Sequence, residues 1–167
     1  MTLLPCSADQ PVAPILVFGI GNPSRGDDAL GPMLIDRLAG EQVAGRLNGV
    51  DLLTDFQLQP EHALDLRGRA RAIFVDAAAG GPEPFGWTAI APVTDIAHST
   101  HSTSPEGLLA IYRRICGPPP RCELVAIRGY AFELGSGLTA KAEANLAAAC
   151  RVVLTRIASA GSGLACA

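Results

Sequence analysis

Apolar residues in this chain fall into short β-branched runs separated by stretches with helical spacing. PILVFGIG, residues 14–21, is a continuous apolar run closed by glycines, which predicts a buried strand of a parallel sheet. ALGPMLIDRL, 29–38, has the spacing of a helix, with Asp27 or Asp28 placed to cap it and Pro32 tolerable in its first turn. A weaker strand follows at 49–54 and a short helix at 58–66, with Pro60 near its start. RAIFVD, 71–76, predicts a strand that ends in a carboxylate. WTAIAPV, 87–93, suits only an edge strand, because Pro92 lacks the N–H a central ladder needs. Ser104-Pro105-Glu106 reads as a helix start that carries to about residue 115, where GPPP stops it. A strand at 123–127 and an alanine-rich helix at 139–158 complete the pattern.

The order is βαβαβ, one extra strand, then αβα. It predicts a three-layer α/β/α fold with an open, mostly parallel twisted sheet of about five strands and helices on both faces. With 167 residues the chain suits one domain, 14–159, after a loose lead-in at 1–13 and before a tail at 160–167.

Composition narrows the class. Hydrophobic residues are 49% and charged residues 17%, which argues against disorder. The net charge of −3 offers no basic face for nucleic acid. Five cysteines, an odd number with no C-x-x-C pair, read as reduced thiols of a cytoplasmic protein. The first residues are too interrupted for a signal peptide, and no apolar run approaches the roughly 18 residues of a membrane helix. No apolar stripe is left over once the core is assigned, so a monomer is expected.

In an open α/β sheet, ligands sit beyond the carboxyl ends of the strands. The predicted strands deliver Gly19 to Asp28, then Asp55 and Gln57, then Asp76, and finally Arg128, Tyr130 and Glu133 to that rim. His98 and His101 lie just before the helix that starts at 105. Two carboxylates and an imidazole suit a divalent metal such as nickel, zinc or iron. Each residue also has a plainer reading: Asp28 as a helix cap, Asp76 as a turn former, His101 as a solvated loop residue. Arg128 and Glu133 fit either contact with a substrate or a salt bridge to each other.

The loop GIGNPSRGDDALGP, 19–32, decides between rivals. It lacks the third glycine of a dinucleotide fingerprint and the lysine of a phosphate-binding loop. Peptidyl-tRNA hydrolases also open with a strand and G-x-G-N-P, but the likeness stops after Pro23. There is no G-x-S-x-G elbow and no H-E-x-x-H helix, which leaves serine and ordinary zinc-protease mechanisms without support.

ILVFGIGNPSRGDDALG, IFVDAAAG, HSTSPEGLL and LVAIRGYAFELGSGLT, in that order, resemble the hydrogenase maturation proteases over roughly residues 14–160. That family trims the C-terminus of the large subunit of nickel-iron hydrogenases after nickel insertion. The resemblance implies a phosphorylase/hydrolase-like fold and a nickel-recognising site of Asp28, Asp76 and His101, with His98 as the alternative imidazole. Many relatives carry glutamate where Asp28 stands. The nickel would arrive with the hydrogenase precursor, and no organic cofactor is implied. TDFQLQPEHALDL departs from the small-residue turn of many members and looks like the HoxW-type branch, which acts on soluble NAD-reducing hydrogenases. Asp55, a carboxylate on the same rim, is the candidate base or substrate anchor, and Gln57 and Arg128 are candidate substrate contacts. The competing class is a nickel-checking chaperone that binds the precursor without cutting it.

Overall fold

The structure, a computed structural model, describes residues 12–93 and 103–161. Five strands form one sheet in the order β2-β1-β3-β5-β4. They are β1 (Ile15–Ile20), β2 (Val50–Asp55), β3 (Arg71–Ala78), β4 (Phe85–Ile90) and β5 (Arg121–Arg128). All neighbours are parallel except β4, which runs antiparallel to β5 at the edge. The helices are α1 (Leu30–Val43), α2 (Pro105–Cys116) and α3 (Ala140–Gly161). Two short 3-10 segments, Gly26–Ala29 and Pro60–Leu66, precede α1 and β3.

Period-2 alternation sorts the strand residues onto two faces. Val17, Ile73, Val75, Val125 and Ile127 pack with α1 and α3 residues such as Leu34, Leu38, Leu146 and Val153. Leu16, Phe18, Ala72, Phe74 and Cys122 pack on the other face with Leu66, Leu108, Leu109 and Tyr112. Both layers are mostly apolar where they meet the sheet, which accounts for the hydrophobic runs of β1 and β3. The result is the expected open α/β/α arrangement.

Local departures have local causes. The predicted helix at 58–66 is a single 3-10 segment that starts at Pro60. Pro92 lies beyond β4, which ends at Ile90, so the edge strand avoids it. Ser104 does cap α2: its Oγ accepts the Gly107 N–H at 3.1 Å, and Pro105 occupies the first turn. β3 runs two residues past Asp76, so that carboxylate lies inside the strand rather than at its end.

At the amino ends of β3 and β5 a buried ion pair closes the sheet. Glu123 is 2% exposed and accepts from Arg71 Nε at 2.6 Å and Arg121 at 2.9 Å. Burial alone would raise the Glu123 carboxyl, but these arginines hold it below its ordinary value. This acid is satisfied and structural, and it lies at the end of the sheet away from the carboxyl rim.

Candidate active site at the carboxyl rim

Strand order reverses between β1 and β3. β1 connects outward to β2 on one side, while β3 adjoins β5 on the other. The crevice beyond their carboxyl ends is the switch point where such sheets bind ligands. Two glycines shape the loop that enters it. Gly21 has φ +135°, and a Cβ there would meet the Asp28 carbonyl oxygen at 2.0 Å. At Gly31 a Cβ would lie 2.2 Å from the Ile20 carbonyl and 2.8 Å from that of Val75. Only a residue without a side chain lets the first turn of α1 sit directly on the ends of β1 and β3.

The adjacent acids do different work. Neither caps α1: its N-cap position is Ala29, which makes no side-chain bond. Asp27 is fully buried. Its carboxylate accepts the backbone N–H groups of Tyr130 (2.7 Å), Ala131 (3.1 Å) and Thr139 (2.7 Å), and the Thr139 hydroxyl (2.9 Å). Burial pushes the carboxyl up, but the bonds outweigh it and hold Asp27 below the usual range. The same threonine hydroxyl accepts the Ala142 N–H at 3.2 Å, so Asp27 also anchors the start of α3.

Asp28 is half-buried and accepts the Asn22 N–H at 2.9 Å. Asp76, in register with Ala126, is half-buried on β3. Its Oδ1 accepts the Ala77 N–H at 2.8 Å, inside the strand, so it is no turn former. Burial first, then the Asp28 charge, raise the Asp76 carboxyl to about 6, against the lowering by Ala77. The two carboxylates therefore feel one another across the switch point. Among the described residues no cation pairs with either. Such a pair attracts a cation. Among the described residues no three His, Cys, Asp or Glu side chains form a metal cluster. His101 and His98, the expected third ligand and its alternative, lie outside the described residues.

Asp55 ends β2 beside Ile20, and its carbonyl accepts the Gly21 N–H at 3.1 Å. One carboxylate oxygen accepts the Phe56 N–H at 2.6 Å, and the other faces His62 Nε2 at 3.4 Å. His62 Nδ1 accepts the Gln59 N–H at 2.9 Å, which places the proton of the neutral ring on Nε2, toward Asp55. The imidazole also tilts against Phe18, with ring centroids 4.9 Å apart. Sequence reasoning missed His62 because QPEHALDL reads as a helix and nothing more. The available signal was its place three residues after the residue preceding the helical turn, where a side chain reaches back to the backbone. His62→Ala removes both that bond and the ring contact; it is expected to cost about 2 kcal/mol in urea unfolding.

Gln57 and Phe56 are exposed on the same turn, with Phe56 at 61%. Arg128 closes β5 and does not pair with Glu133; its guanidinium lies over the Tyr130 ring, 5.6 Å from the centroid. No described helix is long and apolar enough to cross a membrane.

No protein-family model matches the chain, and no curated protein matches it significantly. Solved structures do. The hydrogenase-maturating endopeptidase HybD from E. coli is 24% identical, covers 88% of this chain and 93% of its own, and superposes with a TM-score of 0.68. The [NiFe] hydrogenase maturation protease HycI from Thermococcus kodakarensis is 18% identical, with coverage of 89% and 94% and a TM-score of 0.66. A hydrogenase 2 maturation peptidase from a Thaumarchaeota archaeon is 24% identical, with coverage of 86% and 97% and a TM-score of 0.60. Across nearly its whole length, this chain has the fold of the hydrogenase maturation endopeptidases.

Proposed function

We propose that this protein is an endopeptidase that removes a C-terminal peptide from the precursor of a nickel-iron hydrogenase large subunit after nickel insertion. The observation that carries this reading is the Asp28–Asp76 pair at the switch point of a fold shared with hydrogenase maturation endopeptidases. In this reading nickel belongs to the substrate. Two half-buried carboxylates that no second acid or cation among the described residues braces, with His101 as the third ligand, suit a metal already held by the precursor better than a closed permanent site. Engagement of that metal fixes the precursor against the rim and polarises the scissile carbonyl or activates a water. Asp55, oriented by His62, serves as base or substrate anchor. The exposed Phe56 and Gln57 belong to the turn that sets substrate choice, which we assign to the soluble NAD-reducing hydrogenases of the HoxW-type branch. The work is done in the cytoplasm.

Mass spectrometry of the precursor, with and without this protein and nickel, tests the reading. Loss of a C-terminal peptide only from nickel-loaded precursor is expected. Complex formation at unchanged mass would make the protein a chaperone instead. Asp28→Ala is expected to reduce trimming to background with the fold retained, and His101→Ala to do the same. His98→Ala is expected to be neutral, and the reverse result would exchange the two histidines.

A further inference from the structure

Arg128 is a charge on this rim that no acid among the described residues pairs. Arg69 and Arg71, the largely buried arginines at the other end of the sheet, each grip a carboxylate. Arg128 is half-buried, makes no ion pair among the described residues, and keeps its Nε–H buried without an acceptor. Native proteins seldom leave a cation so placed without a partner.

Register locates it. Asp76 pairs with Ala126 and Ala78 with Arg128. Residues two apart share a face, so the Arg128 side chain leaves β5 on the Asp76 face, one strand over and two residues nearer the rim, and its guanidinium reaches the Tyr130 ring, which packs with the α3 layer. Backbone spacing puts their Cα atoms about 8 Å apart. The guanidinium is held rather than free. Its Nη1 lies beside Gly80, where a Cβ would be 3.5 Å away. Beside it is the Tyr130 ring, which Lys141 Nζ also approaches, at 5.3 Å from the centroid. The ring is itself fixed: its hydroxyl donates to Glu83 and accepts from Asn145 Nδ2 at 3.0 Å, and the same amide donates to the Arg128 carbonyl at 2.9 Å. Glu83, the acid of this cluster, is thus engaged by the phenol and not by Arg128. Lys141 lies in the first turn of α3, whose dipole adds positive potential.

We infer that Arg128, backed by Tyr130 and Lys141, docks a carboxylate of the peptide that lies across the Asp28–Asp76 pair. The inference rests on the endopeptidase reading for the identity of the peptide. A pre-positioned planar fork matches a carboxylate, and the cations Arg128 and Lys141 on the rim that also carries Asp28 and Asp76 give an extended peptide a direction. The carboxylate belongs either to an acidic side chain of the C-terminal extension or to its free end.

Affinity of the nickel-loaded precursor, measured by calorimetry, tests the site independently of cleavage. Arg128→Gln is expected to weaken binding about 10- to 100-fold, the loss of one charge-assisted interaction. Arg128→Lys, which keeps the charge and loses the fork, should fall in between. Arg121→Gln, at the opposite end of the sheet, should change nothing. Equal thermal melts for Arg128→Lys and wild type separate a docking loss from misfolding. Two precursor versions identify the source: one with the acidic residues of the extension changed to amides, one lengthened by two glycines. The Arg128→Gln penalty should vanish with one of them. Persistence of the full penalty with both, or unaltered affinity of Arg128→Gln and Arg128→Lys, would overturn the site. Wild type that binds but never cleaves would overturn the endopeptidase reading and leave the docking result standing.

Discussion

Asp76→Asn is expected to yield a protein that is more stable at pH 8 and inactive in processing. The folded protein keeps a proton on Asp76 up to about pH 6. The unfolded chain releases that proton near pH 3.8. Between these values the folded state binds the extra proton, so stability is greatest below the unfolded value and declines as pH rises to about 6. Two units correspond to about 3 kcal/mol. Asparagine keeps an oxygen for the Ala77 N–H and removes both the buried charge and the repulsion from Asp28. Urea unfolding should therefore show a gain of up to about 3 kcal/mol for Asp76→Asn at pH 8 and almost none at pH 4. The same variant should leave the nickel-loaded precursor uncut by mass spectrometry. A destabilised Asp76→Asn, or one that still trims, would remove Asp76 from the site. A residue kept at a cost to stability is held there by what it does. If Asp76 takes the precursor's nickel as proposed, processing by wild type should rise with pH through about 6, because the metal would compete with a proton for that carboxylate.

Asp27→Ala should have the opposite profile: a large loss of stability. Its side chain satisfies three backbone N–H groups and one hydroxyl, all from the segment 130–139. Alanine leaves those donors around a fully buried hole. Each unsatisfied donor costs about 1–3 kcal/mol, so a total of at least about 3 kcal/mol is expected in urea unfolding. Asp27→Asn restores one acceptor oxygen and turns an amide donor toward existing donors, so it should recover only part. The pH dependence also reverses. Because the folded carboxyl lies below its ordinary value, Asp27 stabilises fully above the unfolded value, near 3.8, and that contribution fades as pH falls through the lower folded one. Asp27→Ala should thus flatten the acid limb of the stability curve, while Asp76→Asn flattens its approach to neutrality.

These two neighbours on the rim show where sequence reading stops. In DD the residues are chemically identical: the loop pattern offered either as a cap of α1, and only the family resemblance made Asp28 a ligand. Asp27 caps nothing and supports the rim instead, through partners 103 to 112 residues away, where no local pattern points. His62 was invisible for a similar reason, since its meaning depends on Phe18 and Asp55 being brought alongside by the pairing of β1 with β2. Arg128 and Glu133, near in sequence, proved to be unpaired because Arg128 turns to the Tyr130 ring.

By itself the sequence determined the layer architecture, the strand-loop-helix entry through GIGNPSRGDDALGP, and the delivery of Asp28, Asp55 and Asp76 to one rim. Those follow from short-range rules: apolar periodicity, glycine and proline punctuation, and the exit of every parallel strand on the same side of the sheet. Only the tertiary structure decided which carboxylates share a site and which are spent on support. That choice depends on strand order, which brings the ends of β1 and β3 together, and on burial, which raises Asp76 and leaves Asp27 to be rescued by its donors. Both are sums over contacts distant along the chain, and a local pattern carries no record of them.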